Sequence, residues 1–411
     1  MVTRTRLRES LGGGSTIAVA MAVMNIGTYG FTMLAARLLG PKNYGALASL
    51  MATLLVIGVL QLGLQATAAR RIAAEPEHVA QIERSINRVT VRAAFALGAL
   101  LLLLTPLINL VCQLDSLTTA ALVGVTAVPL TIMGGQAGIL QGERRWRPLS
   151  ALYIAAGVPR LVIGIALVLW HPNETSAILG VAIAAVAPVL VGRHALRHGR
   201  PAGESSEKHH PMSIIWETVH NSHALLAFFA LSNIDVILAR NVLGHHDAGL
   251  YAAGLILSKA VLFLPQFVVV VAFPSMSTAS ERRRALTSSL LVVAALGAVG
   301  TAATAVLPGL ALIFVGGNDY SGIRSHLWIF AVLGTILSML QLLVYSVLAR
   351  QAKKSVSLIW VAFIVIVLGA GGRMVNTLDG LLALVVVTDL VLFVVLLGIS
   401  LWKLPRVEAR A

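Results

Sequence analysis

The sequence is poor in cysteine and in charged residues, and each shortage excludes a class of protein. Cys112 is the only cysteine among 411 residues, so neither a disulfide within the chain nor a cluster of metal-binding thiolates can form. Only 12% of the residues are charged, whereas 57% are apolar, and the mean hydropathy is +0.87. A soluble domain of this composition would expose large apolar patches. The composition therefore predicts an all-α polytopic membrane protein.

Acidic residues are also scarce, but the resulting positive charge does not indicate nucleic acid. The chain has 31 lysines and arginines against 17 acidic residues, a formal net charge of +14. These basic residues occur in short clusters between long apolar runs, not in one patch or helix. The histidines near residue 200 are irregularly spaced and lack cysteine or acidic partners. We therefore predict no nucleic-acid partner, no metal and no cofactor.

Two features of enzymes are missing as well. No phosphate-binding Gly-Lys-Ser/Thr loop is present, so nucleotide hydrolysis has no support. The predicted outer connections are only about 3 to 10 residues long, which leaves no room for the acidic or metal-binding loop of a membrane glycosyltransferase or glycan polymerase. We predict that the protein is not an enzyme, and we keep such an enzyme as the alternative from a different class.

The apolar runs predict twelve membrane crossings, counted at about 20 residues per helix. Of the 31 lysines and arginines, 24 fall on the side of the membrane that holds the N-terminus and 5 on the opposite side. Because cytoplasmic loops are enriched in these residues, both termini are predicted to be cytoplasmic. The predicted helices cover residues 12–39, 43–71, 88–113, 117–141, 148–170, 175–197, 216–243, 248–273, 285–315, 322–350, 355–373 and 378–402.

The chain divides into two halves at its longest polar break, which is rich in Gly, Pro, Ser and charge. We predict an N-terminal six-helix lobe over 1–197, a cytoplasmic linker over 198–215 and a C-terminal six-helix lobe over 216–411. Matching glycines in the two halves suggest a duplicated bundle, and an Ala-Arg pair precedes the first glycine in each half. The matching positions are Gly40 and Gly244, Gly45 and Gly249, and the preceding Arg37 and Arg240.

Prolines and small residues predict how these helices bend and pack. A proline inside a helix removes one backbone hydrogen bond, and small residues four positions apart allow two helices to approach closely. The prolines lie at 106, 129, 159, 188, 265 and 308. The predicted packing faces are Gly134, Gly138 and Gly142, and Ala294, Ala298 and Ala302.

Ionisable side chains inside the predicted helices are the first candidates for a site. At about 1.5 Å per residue, Arg160, Asp235, Lys259 and Asp389 all lie near the middle of the membrane. Such groups usually face a water-filled pathway, although each can also serve as a tie between helices. Asp235 and Lys259 lie at similar depth on consecutive helices, and we expect that they can pair directly.

Uncharged polar residues extend this set. At about 100° per residue, Asn233 and Arg240 share one helix face, whereas Asp235 lies about 200° away from Asn233. We therefore expect Asn233 and Arg240 to face a polar, net cationic cavity between the lobes, and Asp235 to face a neighbouring helix. The remaining uncharged polar residues in apolar helices are Asn25, Gln61, Gln65, Gln266 and Gln341.

Three segments carry a resemblance to a known family. They are ARLLGPKNYGAL after the first helix, SNIDVILARNVLG leading into AGLYAAGLILSK, and FPSMS at the end of the eighth helix. Together they resemble the polysaccharide-exporter (oligosaccharide flippase) branch of the multidrug/oligosaccharidyl-lipid/polysaccharide flippase superfamily. The resemblance implies two six-helix lobes around a central cavity. It also implies alternating access that moves a polyprenyl-diphosphate-linked oligosaccharide from the cytoplasmic to the outer leaflet for cell-surface polysaccharide biosynthesis.

The resemblance also implies roles for particular residues and partners. It places the protein in the cytoplasmic membrane of a bacterium, with a lipid-linked glycan, membrane lipids and glycosyltransferases of the same pathway as partners. Asp235 and Asp389 are assigned to ion coupling or helix pairing. They would matter most if the protein were instead an ion-coupled multidrug extruder, the main alternative. The resemblance assigns Arg37, Asn233 and Arg240 to substrate binding. To these we add Arg160 and Lys259 from their depth in the membrane, and Gln61, Gln266 and Asn25 as polar residues of apolar helices.

Overall fold

The computed structural model describes residues 2–197, 211–262, 282–349, 353–372 and 375–402, and within these ranges every regular element is helical. Short 3₁₀ helices cover Pro76–His78 and Asn318–Ile323. The first-half helices are α1 (Val2–Ile57), α2 (Val59–Ala74), α3 (Val79–Leu103), α4 (Thr105–Val111), α5 (Leu117–Gly142), α6 (Trp146–Trp170), α7 (Glu174–Ala184) and α8 (Val186–Ala195). The second-half helices are α9 (Pro211–Val242), α10 (His245–Leu262), α11 (Arg282–Val306), α12 (Pro308–Val315), α13 (Leu327–Ala349), α14 (Lys353–Ala370) and α15 (Leu378–Trp402).

Among the described residues, nine helical stretches are long and apolar enough to cross a membrane, and α14 contributes a shorter apolar helix. The first stretch, Thr16–Ala74, contains two of the predicted crossings. Gly40 separates them, because it adopts a non-helical conformation with φ 69° and ψ 172°. A positive φ is readily available only to glycine, and Pro41 then starts the next helix with its preset φ. The prediction of an all-α polytopic membrane protein is confirmed.

The predicted helix bounds agree with the observed ones to within a few residues in most cases, and the exceptions are the start of α1, at Val2 and not at residue 12, and the start of α3. This helix begins at Val79 and not at residue 88. Its first turns carry Arg84 and Arg88 on an exposed face, while Ile82 and Ile86 are buried. An amphipathic start of this kind has too little apolar character to register as a membrane crossing.

Prolines interrupt the crossings at three of the predicted places. The chain leaves helical geometry between α3 and α4, α7 and α8, and α11 and α12, one to three residues before Pro106, Pro188 and Pro308. The proline ring cannot continue the hydrogen-bond ladder, which accounts for the breaks. Pro129 and Pro159 instead lie inside continuous helices, and Pro265 lies outside the described residues.

The glycine face of α5 packs tightly, as predicted. A Cβ atom added at Gly134 or Gly138 would come within 2.5 Å of the backbone oxygen of Gln61 or Gln65, respectively, on α2. Only glycine permits this approach of two backbones, so the predicted packing face of α5 is confirmed.

The alanine face of α11 does not form such a contact, and that prediction was wrong. Ala298 and Ala302 are exposed and line an open groove against α13. The close contact lies at Gly297, where an added Cβ atom would collide with the side chain of Thr335. Val332 and Ile336 of α13 line the other side of that groove.

The chain forms two compact units. Unit 1 comprises residues 1–39 and 53–223, and unit 2 comprises residues 40–52 and 224–411. Each unit therefore includes a short segment from the other half of the sequence, which hydropathy alone does not indicate. The predicted lobes, 1–197 and 216–411, and the linker 198–215, much of which lies outside the described residues, stay a prediction.

Ionic and polar contacts hold the start of α9 in unit 1. Arg70 and Arg71 of α2 both form ion pairs with Glu217, and the Arg71 Nε–Glu217 Oε2 distance is 2.9 Å. One position further along α9, the Thr218 hydroxyl donates to the Thr67 hydroxyl at 3.3 Å. These contacts tie two helices whose sequences lie about 150 residues apart.

Glycine contacts hold residues 40–52 in unit 2. A Cβ atom on Gly45 would lie 3.0 Å from the Cα atom of Gly249, so the two matching glycines of the repeat meet directly. Next to them, the rings of Tyr44 and Tyr320 pack edge to face with centroids 6.4 Å apart. The matching glycines of the two halves of the sequence thus contact each other within unit 2.

Candidate functional site

A buried polar cluster lies in unit 2, where α9 and α10 bring Asn233, Asp235, Tyr251 and Lys259 together. The Lys259 Nζ atom donates a hydrogen bond to the Asn233 Oδ1 atom at 2.9 Å. The Asn233 side-chain nitrogen in turn donates to the backbone oxygen of Phe229 at 2.8 Å. Asn233 therefore fixes the lysine head group and is itself fixed by its own helix.

Asp235 has a different partner from the one expected. The Tyr251 hydroxyl donates to the Asp235 Oδ2 atom at 3.1 Å, and the backbone nitrogen of Val236 donates to Oδ1 at 2.9 Å. Lys259 lies within electrostatic range of Asp235, but its direct hydrogen bond goes to Asn233. The prediction that Asp235 pairs directly with Lys259 is therefore wrong. The direct partner of Asp235 is the hydroxyl group of Tyr251 on α10.

Asp389 of α15 adds a second carboxylate to this cluster. Its side chain is 1% exposed, and it lies within electrostatic range of Asp235 and Tyr251. Among the described residues, no hydrogen-bond donor reaches the Asp389 Oδ1 atom. A buried carboxylate oxygen of this kind is costly unless a proton or a cation neutralises it.

The two arginines of the Ala-Arg pairs differ in their surroundings. Arg240 is only 5% exposed in unit 2, whereas Arg37 is exposed on unit 1. The matching positions in the sequence therefore do not give matching sites. The predicted roles of both arginines in substrate binding stay predictions.

In unit 1, Arg160 is the charged side chain closest to the predicted mid-membrane depth. Its guanidinium carbon lies 5.5 Å from the centre of the Phe31 ring of α1. An aromatic ring in this position stabilises the cation. Asn25, on the same helix as Phe31, is half-buried close to the tight crossing of Gly27 and Gly157.

Uncharged polar side chains gather beside α2 in the same unit. The Gln65 Nε2 atom donates to both the Gln141 Oε1 atom and the Tyr153 Oη atom, each at 2.9 Å. One turn earlier, Gln61 directs its amide nitrogen at the sulfur of Met133, 3.9 Å away. The predicted residues Gln61 and Gln65 therefore lie on one face of α2, and Gln266 lies outside the described residues.

Three residues of these clusters were missed by reasoning from the sequence: Gln141, Tyr153 and Tyr251. Each of the three lies within a predicted helix and has a polar or an amphipathic side chain. A buried tyrosine hydroxyl needs a hydrogen-bond partner, and that requirement was the available signal for Tyr153 and Tyr251. Gln141 lies at the end of its helix, where polarity alone is uninformative.

Comparison with known proteins identifies the family. The profile of a family described as polysaccharide biosynthesis protein matches residues 11–280, which is about two thirds of the chain. The chain belongs to the polysaccharide biosynthesis protein family. A comparison with curated protein sequences gives no match.

Solved structures similar to this chain show the fold of a transporter superfamily. An inward-facing multidrug resistance MATE family transporter of the MOP superfamily has a TM-score of 0.72 at 14% identity, covering 93% of this chain and 94% of its own. A eukaryotic MATE transporter has a TM-score of 0.69 at 12% identity, covering 97% and 96%. A MOP superfamily transporter from Pyrococcus furiosus, whose binding pocket is described as of reverse polarity, has a TM-score of 0.63 at 14% identity, covering 94% and 95%. The protein therefore has the fold of MOP superfamily transporters.

Proposed function

We propose that the protein is an alternating-access flippase that moves a polyprenyl-diphosphate-linked oligosaccharide from the cytoplasmic to the outer leaflet of a bacterial cytoplasmic membrane. The family match over residues 11–280 carries this proposal. The cationic side chains in the apolar helices support it, because a diphosphate requires positive charge and the tail requires a membrane. In this account both termini are cytoplasmic, and glycosyltransferases of the same pathway supply the substrate.

The chemistry needed is binding and release, without a catalytic group. Arg160 and Lys259 are proposed to bind the diphosphate through charge-assisted hydrogen bonds, which are stronger than neutral ones. Arg37 and Arg240, near the predicted outer ends of their helices, are proposed to receive it there. The uncharged residues proposed to contact the glycan are Asn25, Gln61, Asn233 and Gln266.

Asp235 and Asp389 are proposed to couple transport to an ion. Asp389 is buried, and its Oδ1 atom has no hydrogen-bond donor among the described residues. Asp235 lies within electrostatic range of it, and Lys259 supplies positive charge nearby. Two carboxylates and one ammonium group leave one negative charge, so the uptake of one proton or monovalent cation would balance the cluster.

The second candidate function is ion-coupled multidrug extrusion. Two observations favour it: the similarity to multidrug transporters in fold, and the buried acid pair of unit 2. A cationic drug would seek the carboxylates and avoid Arg160, whereas a diphosphate would do the reverse. The two functions therefore predict opposite effects of removing Arg160.

The test is complementation of a strain that lacks the gene, with the lipid-linked glycan measured in extracted membranes. The wild-type protein should clear the accumulated intermediate. Arg160→Gln should slow this clearance about tenfold or more, because a hydrogen bond to a charged group contributes about 1.5–3 kcal/mol. Arg92→Gln, at an exposed arginine of α3, is the matched control.

Drug sensitivity of the same strains separates the two functions. An unchanged level of intermediate in the deletion strain, together with drug sensitivity that the wild-type protein relieves, would replace the flippase with the extruder.

A further inference from the structure

The cluster of Gln65, Gln141 and Tyr153 has chemistry that tying helices together does not require. Three helices, α2, α5 and α6, each contribute one of these side chains. Gln65 uses both hydrogens of its amide within the cluster. What remains is the Gln65 carbonyl oxygen, the Gln141 amide group and the Tyr153 hydroxyl hydrogen, which together provide both acceptors and donors.

The cluster remains accessible in unit 1. Gln141 is exposed, and Gln65 and Tyr153 are half-buried. Elsewhere unit 1 has an apolar groove lined by residues such as Phe95, Leu102 and Val125, which suits contact with lipid. Amide groups are poorly tolerated in hydrocarbon, so the face with the glutamines is the one suited to water or to a polar ligand.

The position of the cluster relative to Arg160 also points to a ligand. Tyr153 and Arg160 are seven residues apart on α6, which places them on one helix face and about 10.5 Å apart along its axis. Tyr153 lies toward the end of α6 that the lysine and arginine distribution assigns to the cytoplasm. A ligand with its anionic group at Arg160 would extend its next portion over the cluster.

We infer that Gln65, Gln141 and Tyr153 form a subsite for an uncharged sugar, a hexose or N-acetylhexosamine, attached directly to the diphosphate. This inference rests on the proposed function. Amides recognise sugar hydroxyl and acetamido groups, which both donate and accept hydrogen bonds. The tyrosine adds a ring face against which the C–H face of a pyranose packs. Gln61, one turn before Gln65 on α2, extends the same surface toward the predicted depth of Arg160.

The test measures binding of two lipids to the purified protein in nanodiscs: a polyprenyl diphosphate, and the same lipid carrying one N-acetylhexosamine. The wild-type protein should bind the sugar-bearing lipid more tightly. Gln141→Leu and Tyr153→Phe should each weaken that binding about fivefold to tenfold, the effect of one lost hydrogen bond. Binding of the sugar-free lipid should change less than about twofold.

Thr118→Val, at an exposed threonine of α5, is the control, and it should leave both affinities unchanged. Thermal unfolding of each variant checks its fold. Gln141 is exposed near the end of its helix, so its replacement should leave the fold intact even if a change at Gln65 does not.

The outcomes separate this inference from the proposed function. If the Gln141→Leu and Tyr153→Phe variants bind both lipids equally more weakly, or bind neither lipid more weakly, the sugar subsite is overturned while the proposed flippase function stands. A wild-type protein that binds neither lipid would overturn the proposed function, and the subsite with it.

Discussion

At the scale of single residues, polar pairing decides whether charges are tolerated inside apolar helices. An unpaired ionised side chain at the centre of a membrane helix costs about 2.5–3.5 kcal/mol on insertion scales. In unit 2, Asn233 accepts from Lys259, and Tyr251 donates to Asp235. Lys259 and Asp235 thus each have a neutral hydrogen-bond partner, and their opposite charges interact at longer range.

The hydrogen bond between Tyr251 and Asp235 gives the first prediction. Tyr251→Phe should lower the free energy of unfolding by about 1–3 kcal/mol, because it leaves a buried carboxylate oxygen short of a donor. A double-mutant cycle with Asp235→Asn should give a coupling energy of about 0.5–3 kcal/mol, measured by denaturation in detergent. Additive effects would show that the contact contributes nothing.

Charge balance in the same cluster gives the second prediction. Lys259→Met should destabilise the protein by about 1–3 kcal/mol, since Asp235 and Asp389 then repel each other without a nearby cation. Adding Asp235→Asn should restore at least half of the lost thermal stability, because it removes one of the two negative charges. A double variant no more stable than Lys259→Met would contradict this account.

At the scale of helices, close backbone contacts at glycine organise both units. Gly134 and Gly138 bring α5 against α2, and Gly249 receives residues 40–52 in unit 2. The first contact sets the distance between the helices that carry Gln65 and Gln141. Packing at glycine therefore determines the geometry of the polar clusters.

The contact at Gly249 gives the third prediction. A Cβ atom there would collide with the backbone of Pro41, which cannot yield as a flexible side chain would. Gly249→Ala should therefore cost about 1–3 kcal/mol of stability and reduce transport. Gly300→Ala is the control. An added Cβ at Gly300 meets nothing within 4 Å, and helix propensity should make the change neutral or stabilising. Equal stability and equal transport of the two variants would show that the close contact between Gly249 and Pro41 does not constrain the structure.

Helices were largely predictable from the sequence because hydropathy and charge distribution are summed over about 20 residues. The partners of polar side chains were not, because they depend on the rotation and spacing of neighbouring helices. Counting depth placed Asp235 level with Lys259, but the orientation of α10 brings Tyr251 to Asp235. The glycine spacing of α5 predicted its packing correctly, whereas the alanine spacing of α11 did not, since alanine permits but does not require close contact.

At the scale of the whole molecule, the repeat is clearer in the packing of its glycines than in the surroundings of its arginines. Gly45 and Gly249 match in the sequence and meet in unit 2, while Arg37 and Arg240 match but differ in exposure. The polar chemistry is also divided unequally. Unit 2 contains the buried acid pair, and unit 1 contains the amide cluster beside Arg160. The proposed ion coupling uses the acid pair of unit 2, and the proposed sugar subsite lies in unit 1, while Lys259 and Asn233 of unit 2 are proposed to share in binding the substrate.

The central claim is that the protein moves a lipid-linked glycan by means of positive charge. Its most direct test is reconstitution in proteoliposomes with a polyprenyl diphosphate bearing one labelled N-acetylhexosamine, followed by the appearance of label accessible from the opposite leaflet. Wild-type protein and the Arg92→Gln variant should transfer the label at the same rate. The Arg160→Gln variant should transfer it at about one tenth of that rate or below. Equal rates for all three, or no transfer above protein-free vesicles by the wild-type protein, would contradict the claim.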